Sequence, residues 1–241
     1  AFNGEQRQDT LWNYYNDFQN NEQIHALYVT YGNRWFDRLS LQVGLRGEYF
    51  MRHIATEYLN LNEQRHIEEQ DTAYFQLFPS AYISYSFDNG HELQLNYTRR
   101  VDRPRGHMIN PRIDFADSTN IRFGNPSLLP SYSSALELNY LKNWERHTLS
   151  GGIFWRAKEG VVQNIKFMDG QTMKNTFVNL SSRQELGVEL VSKHRLFGEL
   201  LQLTTSVNCY YNALKANSYY GVINGTPFDV ELKSQHIFVW F

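Results

Sequence analysis

Apolar and polar residues alternate with a period of two in segment after segment of this chain. In 39–48, Leu39, Leu41, Val43 and Leu45 alternate with Ser40, Gln42, Gly44, Arg46 and Glu48. Successive side chains of a β-strand point to opposite faces, so this stretch predicts a strand with one oily face and one polar face that carries full charges. Residues 80–87 repeat the pattern, with Ala81, Ile83, Tyr85 and Phe87 against Ser80, Tyr82, Ser84 and Ser86, and run into Asp88-Asn89-Gly90, a tight-hairpin signal. The return strand sets Leu93, Leu95 and Tyr97 against Glu92, Gln94, Asn96, Thr98 and Arg100. Further strands follow from Leu27, Val29 and Tyr31; from Leu136, Leu138 and Tyr140; from Leu149, Ile153 and Trp155; from Leu186, Val188 and Leu190; and from Leu201, Leu203, Val207, Cys209 and Tyr211. Segment 228–241 is weaker, because Val230 and Leu232 fall in one phase and Ile237, Val239 and Phe241 in the other. A bulge, or a loop in its first half, would reconcile the two. The pattern predicts an all-β chain of about nine antiparallel strands.

A soluble sandwich sends its charged face to bulk water and packs the oily one inside. A membrane barrel turns the oily face to lipid and the polar face to a wet lumen. The connections favour the barrel: short turns near 34–37, 88–90, 142–146 and 196–199 alternate with long connections near 51–73, 102–130 and 214–227. The link near 167–171 is short but joins two unusually long strands, 146–166 and 173–195. Outer-membrane barrels have this asymmetry, with short periplasmic turns and long extracellular loops. The lipid-facing set is then Leu41, Val43, Leu45, Ile83, Tyr85, Leu93, Leu95, Leu136, Leu138, Leu149, Ile153, Leu186, Val188, Leu203 and Val207. Trp35, Phe36, Tyr49, Phe50, Tyr140, Trp144 and Phe197 stand near strand ends, where amphipathic rings prefer the headgroup zone; packing in a sandwich core is the alternative. The strand at 23–33 runs toward the periplasm, which places residues 1–22 outside the cell. Residues 1–241 are therefore expected to be one partial barrel domain.

Composition narrows the function classes. With 41% hydrophobic and 20% charged residues in 241, the chain is not a disordered tail, and a net charge of -2 provides no basic field for nucleic acid. Cys209 stands alone, so no internal disulfide is expected. No apolar run reaches the roughly 18 residues of a spanning helix, and no export signal opens at Ala1. A negative mean hydropathy does not count against a barrel, since half of every strand faces the lumen. There is no zinc-binding histidine pair at helical spacing, no nucleophile elbow and no phosphate-binding glycine loop; His53 and His66 fall on a long connection. The expectation is a non-enzyme without cofactor or metal.

Specific words then occur in order: Gly44-Leu45-Arg46-Gly47-Glu48, Phe78-Pro79-Ser80, Tyr97-Thr98-Arg99-Arg100-Val101-Asp102-Arg103-Pro104, Asn110-Pro111 and Gly124-Asn125-Pro126-Ser127-Leu128-Leu129-Pro130. Together they resemble the TonB-dependent receptor barrel, in particular the outer-membrane β-barrel family of receptor-like proteins, and look like its C-terminal half. Asn179 and Gly187-Val188-Glu189-Leu190 fit the same pattern, while the match is poorer after Asn212. Trp240-Phe241 resembles the aromatic ending that barrel-assembly machinery reads, and truncation explains it equally well. The resemblance implies a barrel of roughly 22 strands in a Gram-negative outer membrane. It also implies an N-terminal plug domain and a TonB-coupling segment, neither contained in this sequence, and uptake of a scarce solute: a siderophore, cobalamin, peptide or glycan. Implied partners are outer-membrane lipid and lipopolysaccharide, the plug, TonB and the solute. A non-transporting barrel scaffold and a soluble all-β binding module are the alternatives. No ligand-contacting residue carries over from the family. From the residues themselves, Arg99, Arg100, Arg103 and Arg105 cluster at the top of an upward strand, with Arg46 and Glu48 in the lumen. They could hold an anionic solute or a lipid phosphate by forked contacts, or anchor loops through carboxylates such as Asp102, Asp114 and Asp117.

Overall fold

The structure is a computed structural model that describes residues 16–59, 65–112, 119–197, 200–216, 219–223, 226–230 and 235–240. Along the chain run β1 (Asn16–Trp35), β2 (Leu39–Leu59), β3 (Arg65–Ser86), β4 (His91–Asp102), the short helix α1 (Gly106–Ile109), β5 (Asn120–Arg122), β6 (Ser131–Asn143), β7 (His147–Asp169), β8 (Thr172–Leu196), β9 (Leu201–Ala216), β10 (Tyr219–Ile223), β11 (Thr226–Val230) and β12 (Gln235–Trp240). Nine of these form one antiparallel wall in the order β1-β2-β3-β4-β6-β7-β8-β9-β12; β5 adds in parallel to β8, and β10 and β11 make a separate hairpin. Among the described residues the wall is open, with β1 and β12 at its edges.

The register explains the alternation. One row crosses all nine strands as Tyr31, Val43, Ala81, Tyr97, Leu136, Trp155, Leu186, Tyr211 and Phe238. The neighbouring row on the other face reads Gly32, Gln42, Tyr82, Asn96, Glu137, Phe154, Gly187, Tyr210 and Val239. A slip of one residue in any strand would exchange its two sets, so the difference between the two faces fixes the register throughout. Tight turns assist: Phe36 and Asp37 have φ of 52° and 53°, and Asn89 and Gly90 have 65° and 73°, the left-handed pairs whose twist matches that of the flanking strands.

The strands run longer than the pattern suggested. β2 has 21 residues and β3 has 22, about twice the 9–11 that cross a bilayer. Of residues 51–73, read as a long connection, all the described ones, 51–59 and 65–73, are strand. The cause is an inversion of the apolar phase. Up to Tyr49 the odd, outer residues of β2 are apolar; from there Phe50 and Ile54, each 2% exposed, fill the inner face, while Met51, His53 and Glu57 face out. From this point the outer face carries polar side chains and the inner face meets protein. That protein is the connection after β4, which folds back inside the wall. Ile109 and Leu128, both buried, pack on Ile54 with Val162 and Phe177 against them. A second cluster, Phe123, Ile165, Val178 and Leu180, lies on the other face of the upper β7–β8 hairpin. Register shifts between Lys158 and Val162 mark its base, at Gly160 with φ 63°.

The C-terminal segment also differs from the expectation. It is two elements, and β12 pairs with β9 so that Phe238 and Trp240 share the outer face while Ile237 and Val239 turn inward beside Asn212 and Tyr210. Residues 1–15, Asp114, Asp117 and Phe241 lie outside the described residues.

Candidate functional site

The inner face above the bilayer is built around Glu48, 4% exposed. Its Oε2 accepts from Arg103 Nη2 at 2.6 Å and its Oε1 from Arg46 Nε at 2.7 Å. Arg103 also donates from Nε to the Tyr74 hydroxyl at 3.3 Å and lies 4.8 Å over the Phe50 ring, which stacks on Tyr74 at 4.9 Å. Burial works against the Arg103 charge, but the bonds to Glu48 and Tyr74 outweigh it and hold its pKa above the ordinary value. Burial likewise raises the Tyr74 phenol, partly offset by Arg103, so it stays a neutral hydroxyl. One turn of strand further up, Arg52 donates from Nη2 to the carbonyls of Pro126 and Leu128 at 3.1 and 3.3 Å.

Those carbonyls belong to a hydrogen-bonded lock. Gly124 N–H donates to Asn110 O at 2.8 Å and Asn125 N–H to Met108 O at 2.7 Å. The Asn125 side chain donates to Phe177 O at 3.0 Å and accepts from Ser127 N–H at 3.0 Å. A Cβ at Gly124 would sit 2.5 Å from Asn110 O and 2.7 Å from Met108 O, so only glycine permits this approach. Asn179 closes the lock from β8: its amide accepts from Leu129 N–H at 2.9 Å and donates to Leu129 O at 2.9 Å and to Gly160 O at 2.8 Å.

Below the lock the inner face opens into a basin of about 940 Å³ lined by Gln42, Tyr82, Arg100, Glu137, Arg156 and Lys158, among others. Arg156 pairs with Glu137 at 2.9 Å and Lys158 with Asp102 at 2.8 Å, which leaves Arg100 as a cation without an ion-pair partner among the described residues. Beside the lock a hollow of about 540 Å³ is lined by His107, Arg112, Arg122, Asn164, Asn175 and Phe177. Such surfaces can bind polar or anionic groups but present no nucleophile–base pair, and no cluster of three potential metal ligands occurs among the described residues.

The structure brings together three of the residues singled out from sequence, Arg46, Glu48 and Arg103, in the buried network. It separates Arg99 from Arg100: adjacent on β4, they point to opposite faces, and Arg99 lies 5.6 Å from the Tyr132 ring. Arg105 is exposed at the start of α1. The carboxylate that anchors Arg103 is Glu48 rather than Asp102, which serves Lys158. Phe50 is a buried inner residue and not part of a headgroup belt, whereas Phe36, Trp144 and Phe197 stand exposed at the turns. His53 is on β2, bonded to Asp71 at 2.8 Å. Leu41, Tyr85 and Leu149 are partly exposed and the other twelve of the apolar set are exposed, all on the outer face. Arg52, Tyr74, His107, Arg112 and Arg122 were not foreseen. An apolar even-numbered phase around Phe50 and Ile54 was the signal for the first two.

Residues 1–239 match the outer membrane protein beta-barrel family. No curated protein matches the sequence. Among solved structures, a double mutant of the Serratia marcescens hemophore receptor HasR, in complex with its hemophore HasA and heme, aligns with 84% of this chain and 35% of its own at 15% identity and TM-score 0.58. The ferric yersiniabactin uptake receptor FyuA of Yersinia pestis aligns with 84% of this chain and 28% of its own at 13% identity and TM-score 0.55. The FrpB iron transporter of Neisseria meningitidis (F3-3 variant) aligns with 88% of this chain and 28% of its own at 14% identity and TM-score 0.52. At these identities the likeness is one of fold, and the chain spans about a third of the length of the structures it matches. The chain belongs to the outer membrane protein beta-barrel family, and its nine-stranded wall shares the fold of part of the barrel in these receptors.

Proposed function

We propose that this wall belongs to a receptor that takes up a scarce solute across the outer membrane. The observation that carries the reading is the pair of rows across nine strands, apolar and aromatic outside and with the polar residues, such as Gln42, Asn96 and Glu137, inside, capped by a connection locked against the inner face. The apolar set from Leu41 to Val207 faces lipid, and the basic residues around the loops meet lipopolysaccharide. The basin and the hollow above it receive the solute, with Arg100, Arg112 and Arg122 as the cations it meets. The resemblance supplies the rest: a plug domain closes the lumen and TonB drives release inward. Siderophore, cobalamin, peptide and glycan are the solute classes in play.

The test is accumulation in cells that lack the gene against cells carrying its full-length product. The probes are a labelled ferric siderophore, cobalamin, an oligopeptide and an oligosaccharide, each with and without a protonophore. Gene-dependent, protonophore-sensitive accumulation of one probe class supports uptake. Equal accumulation of all four in both strains would overturn it and favour a non-transporting scaffold.

A further inference from the structure

A pair of histidines faces outward at the periplasmic rim, away from the basin and the lock. His147 begins β7, and its cross-strand partner is His194 near the end of β8. Their Nδ1 atoms lie 2.9 Å apart and their ring centroids 5.0 Å apart at 57°. Two ring nitrogens at that distance cannot both carry a proton and remain in contact, so at least one lone pair points into the gap. His194 Nε2 lies 2.7 Å from Ser192 Oγ on the same face of the same strand. With that nitrogen donating to the hydroxyl, Nδ1 of His194 is the lone-pair nitrogen, held in place by the outer bond as metal-ligating histidines generally are. The two rings belong to adjacent paired strands, so the ladder itself fixes their separation.

We propose that His147 and His194 form a binding site for a divalent transition-metal ion, bridging the start of β7 and the end of β8. Two nitrogens 2.9 Å apart, each at the usual metal–imidazole length of about 2.0–2.1 Å, subtend an angle of about 90° at the ion. That is the cis angle of tetragonal coordination, which favours Cu(II) or Ni(II) over tetrahedral Zn(II). Binding replaces the proton between the rings, and water completes the coordination sphere. On this face Leu149 and Ser192 form the next pair, Leu203 is the β9 partner of His194, and the nearest cation, Lys142 beyond Leu149, is engaged by Asn89 O and His91. The ion therefore staples two strands at the point where the wall leaves the bilayer.

The experiment uses the full-length protein in detergent, titrated with Cu(II) and followed by electron paramagnetic resonance and calorimetry. The comparison variants are His147→Ala, His194→Ala and His53→Ala, the last removing a histidine held elsewhere by Asp71. The expected result is a tetragonal spectrum with coupling to two imidazole nitrogens. At least a tenfold loss of affinity is expected in each rim variant, with none in His53→Ala. Ni(II) should compete at lower concentration than Zn(II) does. Equal affinity in the wild type and both rim variants, or a spectrum without nitrogen coupling, would overturn the proposal. Both rim positions are partly or fully exposed, and the heat-modifiability of each variant on gels shows that a loss of binding is not a loss of fold.

Discussion

Replacing Glu48 by Gln removes one negative charge from a site where two guanidiniums converge. The carboxylate is 4% exposed, Arg103 is 18% exposed as a side chain and Arg46 is 52% exposed. The two partners therefore do not count equally. Arg46 is half in water, and an ion pair of that kind contributes about 0–1 kcal/mol. Arg103 is buried over Phe50, and taking away its anion leaves a charge with only the Tyr74 hydroxyl and the ring face to hold it. Breaking one partner of a buried pair costs about 3–5 kcal/mol; since Gln still accepts one hydrogen bond, we take the lower end, about 3 kcal/mol. Arg103 opens the connection whose later part is the lock, so the loss should appear as local opening there. Hydrogen exchange on the full-length protein reads it directly. The Gly124 and Asn125 amides, bonded to Asn110 O and Met108 O, should exchange about 100-fold faster in Glu48→Gln, since each 1.4 kcal/mol is a factor of ten. In Arg46→Gln they should quicken less than about fivefold. Amides in mid-β6, such as Leu138, should be unchanged in both. The same acceleration in both variants, or none at Gly124 and Asn125 in Glu48→Gln, would refute the assignment of Glu48–Arg103 as the anchor of this connection.

Other perturbations separate the remaining parts. Asn179→Ala deletes three hydrogen bonds that hold Leu129 and Gly160, worth about 2 kcal/mol together at a half-exposed site, and should expose 124–130 to added protease while the wall stays intact. Gly187→Ala places a Cβ 2.5 Å from the Phe154 ring, 2.6 Å from Tyr210 Cβ and 2.8 Å from Cys209 O; it should lower the folded fraction on heat-modifiability gels, and normal assembly would contradict the packing. Leu138→Arg on the outer face should cost about 2–4 kcal/mol of insertion, whereas Gln42→Arg on the inner face should be tolerated; equal damage would sink the face assignment. Arg100→Gln should leave assembly unchanged and reduce uptake of an anionic probe, and unchanged uptake of the transported solute would remove Arg100 from its path.

The wall was legible because the bilayer imposes a fixed sign on the alternation. Every strand that crosses must put its oily set on the same side, so Leu41, Leu95, Leu138 and Val188 declare their strands without help from distant residues. Above the bilayer that rule reverses, and Phe50 and Ile54 look like the end of a pattern when they are its continuation with the faces exchanged. Tertiary burial decides their phase, and it depends on Ile109 and Leu128, more than 50 residues away in the chain. The arginine cluster was half legible for a similar reason. Sequence neighbours Arg99 and Arg100 read as one patch, yet strand geometry sends them to opposite faces and the curl of the chain after Asp102 brings Arg103 back to Glu48. The basic residues of the upper hollow come from α1, β5 and their flanks, whose juxtaposition no local pattern reports.

The words that carried the family resemblance fall largely on the machinery that holds the connection. Glu48 closes the first, Arg103 and Pro104 close the third, and Gly124 to Pro130 make the lock with Asn110 and Asn179. Each has its hydrogen-bonding or steric capacity taken up by protein: Glu48 by two arginines, Gly124 by two backbone oxygens at its missing Cβ, Asn179 by two backbone segments. A group so engaged cannot also recognise a solute without releasing the loop. On the proposed uptake reading, recognition falls to side chains that the lock leaves uncommitted and that point into the two inner hollows. Arg100 meets that condition from β4, and Arg112 and Arg122 meet it from the connection itself. The division has a physical consequence. The exposed side chains of the connection can change at little cost to the wall, because the bonds that position it are made by a few committed residues, Arg52, Arg103, Gly124, Asn125 and Asn179.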